Sequence, residues 1–341
     1  MLRIAFFGSD IFSVKALSTL LDAKSAPNNN LISSLDVITR SIKPQGRKRI
    51  LTDVPIGTFA TNANLPVHRA DSRDQILQLS EKINPNLTIA VSYGKLIPAD
   101  FISKCEYGGL NVHPSLLPKY SGSSPIQYAI RNGDQTTGVT IQTLHPTKFD
   151  RGEIIAQSGE VDILENENYD SLLERLGKLG SDMLIQTLQD GLYKSPITPI
   201  IPSTSFSLAP RISPSESEIL WNDHTTKSVI NLYKSLGPLH TFQKRLTKKK
   251  KNADAVEELY KVIFSDIKIY TGPLELSQIS LGAFHLDSVN DRLLVKTKDG
   301  AISVGLVKFQ YQSYESPTKF VSQTSKRCGV TSSKTKFIQS I

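Results

Sequence analysis

Leu87-Thr88-Ile89-Ala90-Val91-Ser92-Tyr93-Gly94 opens with the most strand-like run in the chain, Leu87 to Val91. Its first five residues are near-continuously apolar, as in a parallel strand buried on both faces. Such a strand needs helices on both sides of its sheet, and the flanking sequence supplies them. Upstream, Gln75 to Ile83 has the spacing of an amphipathic helix, Leu65-Pro66-Val67 reads as an edge strand, and Val54 to Ala63 as a helix before it. Farther back, Leu35 to Ile38 is a strand, and Leu2 to Phe7 is an apolar run ended by Gly8-Ser9-Asp10. Phe12, Ala16, Leu17, Leu20 and Leu21 then share one helical face. Strand, glycine turn and helix open a βαβ unit, although Gly8-x-x-x-x-Ser13 lacks the Gly-x-Gly-x-x-Gly dinucleotide fingerprint. The expected fold class is α/β, a doubly wound, largely parallel sheet. Its ligand cleft should lie where Val91-Ser92-Tyr93-Gly94 leaves the sheet.

Downstream, Gly108 to Ile154 carries the residues with chemical capacity. Leu110, Asn111, Val112 and His113 alternate apolar and polar, so Asn111 and His113 project from one face of a strand. An amide beside an imidazole can hold a carbonyl oxygen and move a proton, and the later Asp150 can orient that imidazole. Taken singly, each residue has a plainer reading: a turn-closing Asn, a structural His, a turn Asp before Arg151-Gly152. The order, with Ser115-Leu116-Leu117-Pro118 between them and Gly138-Val139-Thr140 following, favours the functional reading. Ser115 has no Gly-x-Ser-x-Gly elbow, which argues against covalent catalysis. His68, His113, His145, His224, His240 and His285 show no ligand spacing with Cys or each other, so no metal is expected.

These motifs resemble the folate-dependent formyltransferases, in which an Asn-x-His pair and a later Asp carry transfer of a formyl group from 10-formyltetrahydrofolate. On that resemblance, Asn111, His113 and Asp150 are the catalytic residues. Ser115, Leu116, Leu117 and Pro118, with Val91, Ser92 and Tyr93, line the folate site. Which of His113 and Asp150 acts as general base stays open. After Pro118 the bacterial methionyl-tRNA formyltransferases usually have Arg-Trp-Arg-Gly, where this chain has Lys119-Tyr120-Ser121-Gly122. His113 is followed by Pro114, as in glycinamide ribonucleotide formyltransferases, rather than by Gly. The Tyr-Ser-Gly-Ser-Ser-Pro-Ile version is similar to fungal mitochondrial members of the family, which implies the mitochondrial matrix; a bacterial or cytosolic home is the alternative.

With 341 residues, 39% of them hydrophobic, two domains are expected. Ile154 to Ile163 reads as a strand and Tyr169 to Leu188 as a long helix, with Leu172, Leu173, Leu176, Leu179, Met183 and Leu184 inward. Ser195 to Pro214 holds five prolines among Ser and Thr, a linker composition. The expected boundaries are a catalytic domain over 1–196, a linker over 197–214, a C-terminal domain over 215–325, and a disordered basic tail over 326–341. In the C-terminal part, Val229, Ile230, Leu232, Tyr233 and Leu236 mark a helix. Tyr260–Phe264, Leu293–Thr297 and Ile302–Phe309 are strand candidates, with a hairpin turn at Lys298-Asp299-Gly300. This part is similar to the OB-like β-barrel of methionyl-tRNA formyltransferases, which helps hold tRNA.

The net charge of +8 and a pI near 9.2 fit an anionic partner, and the excess is clustered. Arg40 to Arg49 is a basic segment with Pro44 and Gly46 and no apolar period, which reads as a mobile surface loop. In the resembling family a basic loop after the second strand enters the tRNA acceptor stem, so Lys43, Arg47, Lys48 and Arg49 are the expected tRNA contacts. Lys248 to Lys251 is a second basic run, read equally as a flexible loop or an RNA contact. Cys105 and Cys328 support neither a disulfide framework nor a metal site, and point to a reducing compartment. No apolar run reaches the length of a membrane span. The first strand begins almost at residue 1 and leaves no room for a presequence, so any targeting segment is absent or outside this sequence. The resemblance implies formylation of the α-amino group of methionyl initiator tRNA by a monomeric enzyme. A small acceptor such as glycinamide ribonucleotide or a nucleotide sugar, or an inactive RNA-binding relative, are the alternatives.

Overall fold

The computed structural model describes residues 1–28, 30–46, 49–247, 256–273, 280–328 and 336–340. The chain divides into two compact units, Met1–Ala129 with Asp134–Arg211, and Ile130–Gly133 with Ile212–Ile341.

The elements of the first unit, in chain order, are β1 (Leu2–Gly8), α1 (Ile11–Ser25), β2 (Ile32–Thr39), β3 (Lys43–Gln45), β4 (Ile50–Thr52), α2 (Pro55–Asn62), β5 (Val67–Arg69) and α3 (Arg73–Ile83). They continue with β6 (Leu87–Val91), α4 (Ala99–Ser103), β7 (Gly109–His113), α5 (Pro125–Asn132, its residues from Ile130 counted with the second unit), β8 (Thr136–Thr137), β9 (Thr140–Thr143), β10 (Ile154–Gln157), β11 (Val161–Asp162) and α6 (Tyr169–Gln189). The central sheet has seven strands in the order β10-β9-β7-β6-β1-β2-β5. The strands from β5 to β7 run parallel, while β9 and β10 add an antiparallel edge. The strand order reverses at β1 and β6, and in such sheets ligands bind at the carboxyl ends of the strands flanking that point. Ile4, Ala5, Phe6 and Phe7 are all fully buried, so β1 is covered on both faces. Ala5 and Phe7 face a core with Ile38, Ala90, Tyr93 and Phe101. The opposite face is roofed by α1 and α6, which pack on each other. The inward face of α6 includes Leu172, Leu173, Leu176, Leu184 and Leu188, whereas Leu179 and Met183 are half-buried.

Three local readings change. Ile154 to Ile163 is two short strands, not one, because Ser158 and Gly159 break the run. The basic segment is not an irregular loop: β3 and β4 pair as an antiparallel hairpin, with Ile50 and Leu51 at 62% and 68% exposure. Arg47 and Lys48 lie outside the described residues. The proline-rich segment is tied to the first unit as well. Ile200 N–H donates to the Ile154 carbonyl at 2.7 Å, and Ala209 is fully buried, its N–H on the Ser121 carbonyl at 2.7 Å. Ile201, by contrast, is 92% exposed. A broad-specificity protease should therefore cut first around Ile201 to Ser203 rather than within Thr204 to Ala209, and N-terminal sequencing of the fragments checks this.

The second unit contains α7 (Thr226–Leu236), β12 (Leu239–Thr247), β13 (Val256–Ile269), β14 (Phe284–Asp287), β15 (Arg292–Lys296), β16 (Ala301–Phe309) and α8 (Pro317–Cys328). Its strands form an antiparallel half-barrel in the order β12-β13-β16-β15-β14, as in an OB-like domain. Thr297 N–H reaches the Gly300 carbonyl at 3.0 Å and closes the expected turn between β15 and β16. The run Lys248 to Lys251 lies outside the described residues. In the tail, residues 336–340 correct the expectation of disorder, while 329–335 and 341 lie outside the described residues. Phe337 is fully buried against Trp221, Phe264, Phe284 and Phe320, and Ile338 exchanges backbone hydrogen bonds with Phe242 at 3.0 and 2.8 Å. One large apolar side chain in a polar segment is enough to dock it. Cys105 and Cys328 are both free and buried.

Candidate active site

The site follows from strand register. In the antiparallel pairing of β7 with β9, Asn111 stands opposite Gln142 and His113 opposite Thr140. In the parallel pairing of β6 with β7, Ala90 stands opposite Asn111. Side chains of opposed residues share a face, so Asn111 and His113 meet Gln142 and Thr140 on one side of the sheet.

Asp150 closes this group from the turn between β9 and β10. Its Oδ1 accepts from Asn111 Nδ2 at 3.3 Å and Gln142 Nε2 at 3.3 Å, and lies 3.5 Å from His113 Nδ1. Its Oδ2 accepts the Gly122 N–H at 2.7 Å. The turn is held close to β9. Asp150 adopts a left-handed backbone with φ of 50°, and a Cβ on Gly152 would stand 1.7 Å from the Thr143 carbonyl oxygen. Only glycine fits at 152. Gly152 N–H donates to Gln142 Oε1 at 3.1 Å, so both ends of the Gln142 amide are engaged and its orientation is set.

His113 is 5% exposed, and its Nε2 lies 3.0 Å from the Tyr120 carbonyl oxygen. A carbonyl only accepts, so Nε2 carries the hydrogen and Nδ1 faces Asp150. The sequence-predicted trio is thus assembled within hydrogen-bond reach. Gln142 was missed, although Thr140-Ile141-Gln142 carries the same alternation as Asn111-Val112-His113. Gly122 enters through its backbone, which residue type does not announce.

The residues expected around the folate occupy two places. Ser115 and Leu117 are each 1% exposed and take part in internal bonding: Ser115 Oγ donates to the Lys119 carbonyl at 2.6 Å, and Leu117 N–H to Thr140 Oγ1 at 3.0 Å. Leu117 and Pro118 also line an open pocket of about 290 Å³ with Gln142, Asp150, Gly152 and Ile200. Leu116 offers its carbonyl to Thr204 Oγ1 at 3.0 Å. Val91, Ser92 and Tyr93 gather instead at the Gly8-Ser9-Asp10 turn, where Ser9 Oγ approaches the Tyr93 carbonyl at 3.4 Å. Burial raises the Asp10 carboxyl above its ordinary value, although the Ser13 amide and the Ser92 side chain hydrogen-bond to it and pull it down. Burial, with the charge of Asp71, pushes the Tyr93 hydroxyl up to about 12. Of the expected tRNA contacts, Lys43 lies 3.4 Å from Asp71, and Arg49 ends the β3–β4 turn with φ of 50°. Among the described residues, no group of three or more His, Cys, Asp or Glu side chains could hold a metal ion. No described helix is long and apolar enough to cross a membrane.

Asn111 and a buried His113 at the end of a parallel strand, with a half-buried Asp150 brought against them from a turn, are the features that point to the class. The family model described as formyl transferase matches residues 2–188, and the chain belongs to that family. It is 34% identical to the mitochondrial methionyl-tRNA formyltransferase of Saccharomyces cerevisiae, over 99% of this chain and 93% of that one. It is also 34% identical to the methionyl-tRNA formyltransferase of Caldicellulosiruptor saccharolyticus, over 68% of this chain and 72% of that one. Among solved structures, the fold is shared by HypX from Aquifex aeolicus in complex with tetrahydrofolic acid, with a TM-score of 0.55 and 15% identity, covering 96% of this chain and 48% of that one. It is shared also by the sugar 3N-formyl transferase WlaRD, with a TM-score of 0.52 and 18% identity, covering 92% of this chain and 99% of that one.

Proposed function

We propose that this enzyme transfers the formyl group of 10-formyltetrahydrofolate to the α-amino group of methionyl initiator tRNA, as a monomer in the mitochondrial matrix. The observation that carries this reading is the likeness to the yeast mitochondrial enzyme, which runs through both units rather than the first alone. The acceptor nitrogen attacks the formyl carbon and forms the new C–N bond, and the carbonyl oxygen takes up negative charge. The bond from that carbon to N10 of the folate then breaks, the carbonyl re-forms, and N10 leaves with a proton. Asn111 Nδ2 carries two hydrogens. One points to Asp150, and the other is available to the oxyanion. His113 Nδ1 and Asp150 together receive the proton lost by the amine, and a proton held between them turns two facing acceptors into a bonded pair. Val91, Ser92, Tyr93, Ser115, Leu116, Leu117 and Pro118 are assigned to the folate by resemblance.

The direct test supplies purified protein with charged initiator tRNA and a donor labelled in the formyl group. Label should appear on the methionyl amine. Label on glycinamide ribonucleotide but not on the tRNA would overturn the acceptor assignment. Expression of the protein from its natural start codon with a fluorescent tag should give mitochondrial signal.

The hairpin carries its own prediction. Replacing Arg47, Lys48 and Arg49 together by Ala should weaken tRNA binding and flatten its log–log salt dependence by roughly 0.7–0.9 per lost phosphate contact, with folate affinity unchanged. Lys43 is already paired with Asp71, so its replacement alone should change the slope less. Filter binding across a salt series measures both. An unchanged slope in the triple variant would mark the hairpin as a solvated surface.

A further inference from the structure

The segment Thr204–Ala209 has the composition of a linker, yet it is hydrogen-bonded along most of its length to the loop between β7 and α5. Thr204 Oγ1 donates to the Leu116 carbonyl at 3.0 Å, and Ser207 N–H to the Pro118 carbonyl at 3.3 Å. Ser207 Oγ accepts the Tyr120 N–H at 2.9 Å, and the Ser207 carbonyl accepts the Ser121 N–H at 2.9 Å. Ala209 N–H donates to the Ser121 carbonyl at 2.7 Å, and the Ala209 carbonyl accepts the Ser124 N–H at 3.1 Å. The fit is close, since a Cβ on Gly122 would stand 2.4 Å from the Ala209 carbonyl oxygen. Beside it, Arg151 lies over the Phe206 ring at 4.1 Å, next in sequence to Asp150.

The residues held this way are the ones that hold the catalytic pair. The Tyr120 carbonyl takes the His113 Nε2 hydrogen, and the Gly122 N–H caps Asp150 Oδ2. These two backbone groups flank Ser121, whose own N–H and carbonyl are both bonded to the segment. A displacement of Ser121 would therefore move both clamps together.

We infer that Thr204–Ala209 is a positioning strap for the active site, with Ser207 its principal side chain, fixing the tautomer of His113 and the orientation of Asp150 through the Tyr120–Gly122 backbone. The inference rests on the formyl-transfer reading only for its kinetic consequence; the effect on the imidazole is independent of it. Misplacement of a catalytic group by up to an ångström costs as much as about 10²-fold in rate. The strap acts through the backbone of other residues, so Ser207 is a positioning residue.

The test compares the full-length protein with its Ser207→Ala and Ser207→Thr variants. Nitrogen–proton correlation spectra of labelled imidazoles, with the His113 signal assigned from a His113→Gln variant, should show the Nε2–H form in the parent and in Ser207→Thr. In Ser207→Ala that signal should shift toward a mixture of tautomers. In parallel, kcat for formyl transfer should fall by roughly tenfold or more in Ser207→Ala, with KM for donor and acceptor nearly unchanged, and return in Ser207→Thr. An unchanged His113 signal in Ser207→Ala would overturn the strap whatever the activity, as would a shift that Ser207→Thr fails to reverse. A shifted signal in a protein that transfers no formyl group even in its parent form would support the strap and instead sink the assigned reaction.

Discussion

Asn111→Ala is expected to lower the turnover of formyl transfer by about 10²–10³-fold, the usual cost of losing one oxyanion donor, while tRNA affinity stays nearly unchanged. The separation follows from where the side chain acts. Its amide donates to Asp150 and, on the proposed reading, also to the oxygen where charge develops, whereas docking of a large acceptor would be spread over many other contacts. His113→Ala should lose at least as much, because on the proposed reading it removes the imidazole that faces Asp150 and shares the proton of the amine. Asp150→Asn is not a mild change here. The Gly122 amide, the Asn111 amide and the Gln142 amide all donate to the carboxylate, so an NH₂ in place of one oxygen faces donors. The three substitutions should combine with much less than additive effect, since the groups work as one unit. Single-turnover rates together with filter binding measure both quantities. A rate within threefold of the parent for Asn111→Ala would remove Asn111 from the reaction.

Phe337→Ala should destabilise the second unit by about 3–5 kcal/mol, the range for deleting a buried aromatic ring. Phe337 stacks on Phe284 with centroids 4.5 Å apart, meets Phe264 edge-on at 5.0 Å, and lies 6.5 Å from Trp221. Its backbone also contributes, with Phe337 N–H on the Gly282 carbonyl at 2.8 Å. The chain has a single tryptophan, and Trp221 belongs to this unit, so its fluorescence in a urea series reads the stability of the second unit directly. A change below 1 kcal/mol would mean that the tail sits on the core without supporting it. Folate binding, assigned to residues of the first unit, serves as the control, since Phe337 belongs to the core of the second.

What the sequence made legible was local and periodic. The unbroken apolar run of β6, the glycine turn after β1 and the alternation through Asn111 and His113 are written in neighbouring residues, and so could be read. The partnership of Asn111 with Gln142 is a matter of register between strands joined by a long connection, and alternation alone does not give register. The hairpin of β3 and β4 escaped because strands of three residues are too short to display a period. The tail escaped because a single Phe337 decides its fate among polar neighbours. The proline-rich segment is the instructive case. Proline, serine and threonine are what a free linker needs, and also what an extended strand-like segment uses when its bonds go to a distant loop. Composition describes the two identically, and only the identity of the hydrogen-bond partners separates them.

The distance in sequence between the catalytic trio and Ser207–Ala209 has a consequence during synthesis. A nascent chain emerges amino end first, and its first unit can begin to fold before the rest is made. The trio is complete in the polypeptide once Asp150 has left the ribosome, but Ser121 then still has neither of its partners. They arrive only with the residues that lead into the second unit, which starts at Ile212. A growing chain, or one ended early by a premature stop, would thus carry every reactive side chain without the pairing that sets it, and catalytic competence would appear only as the second unit begins to be made.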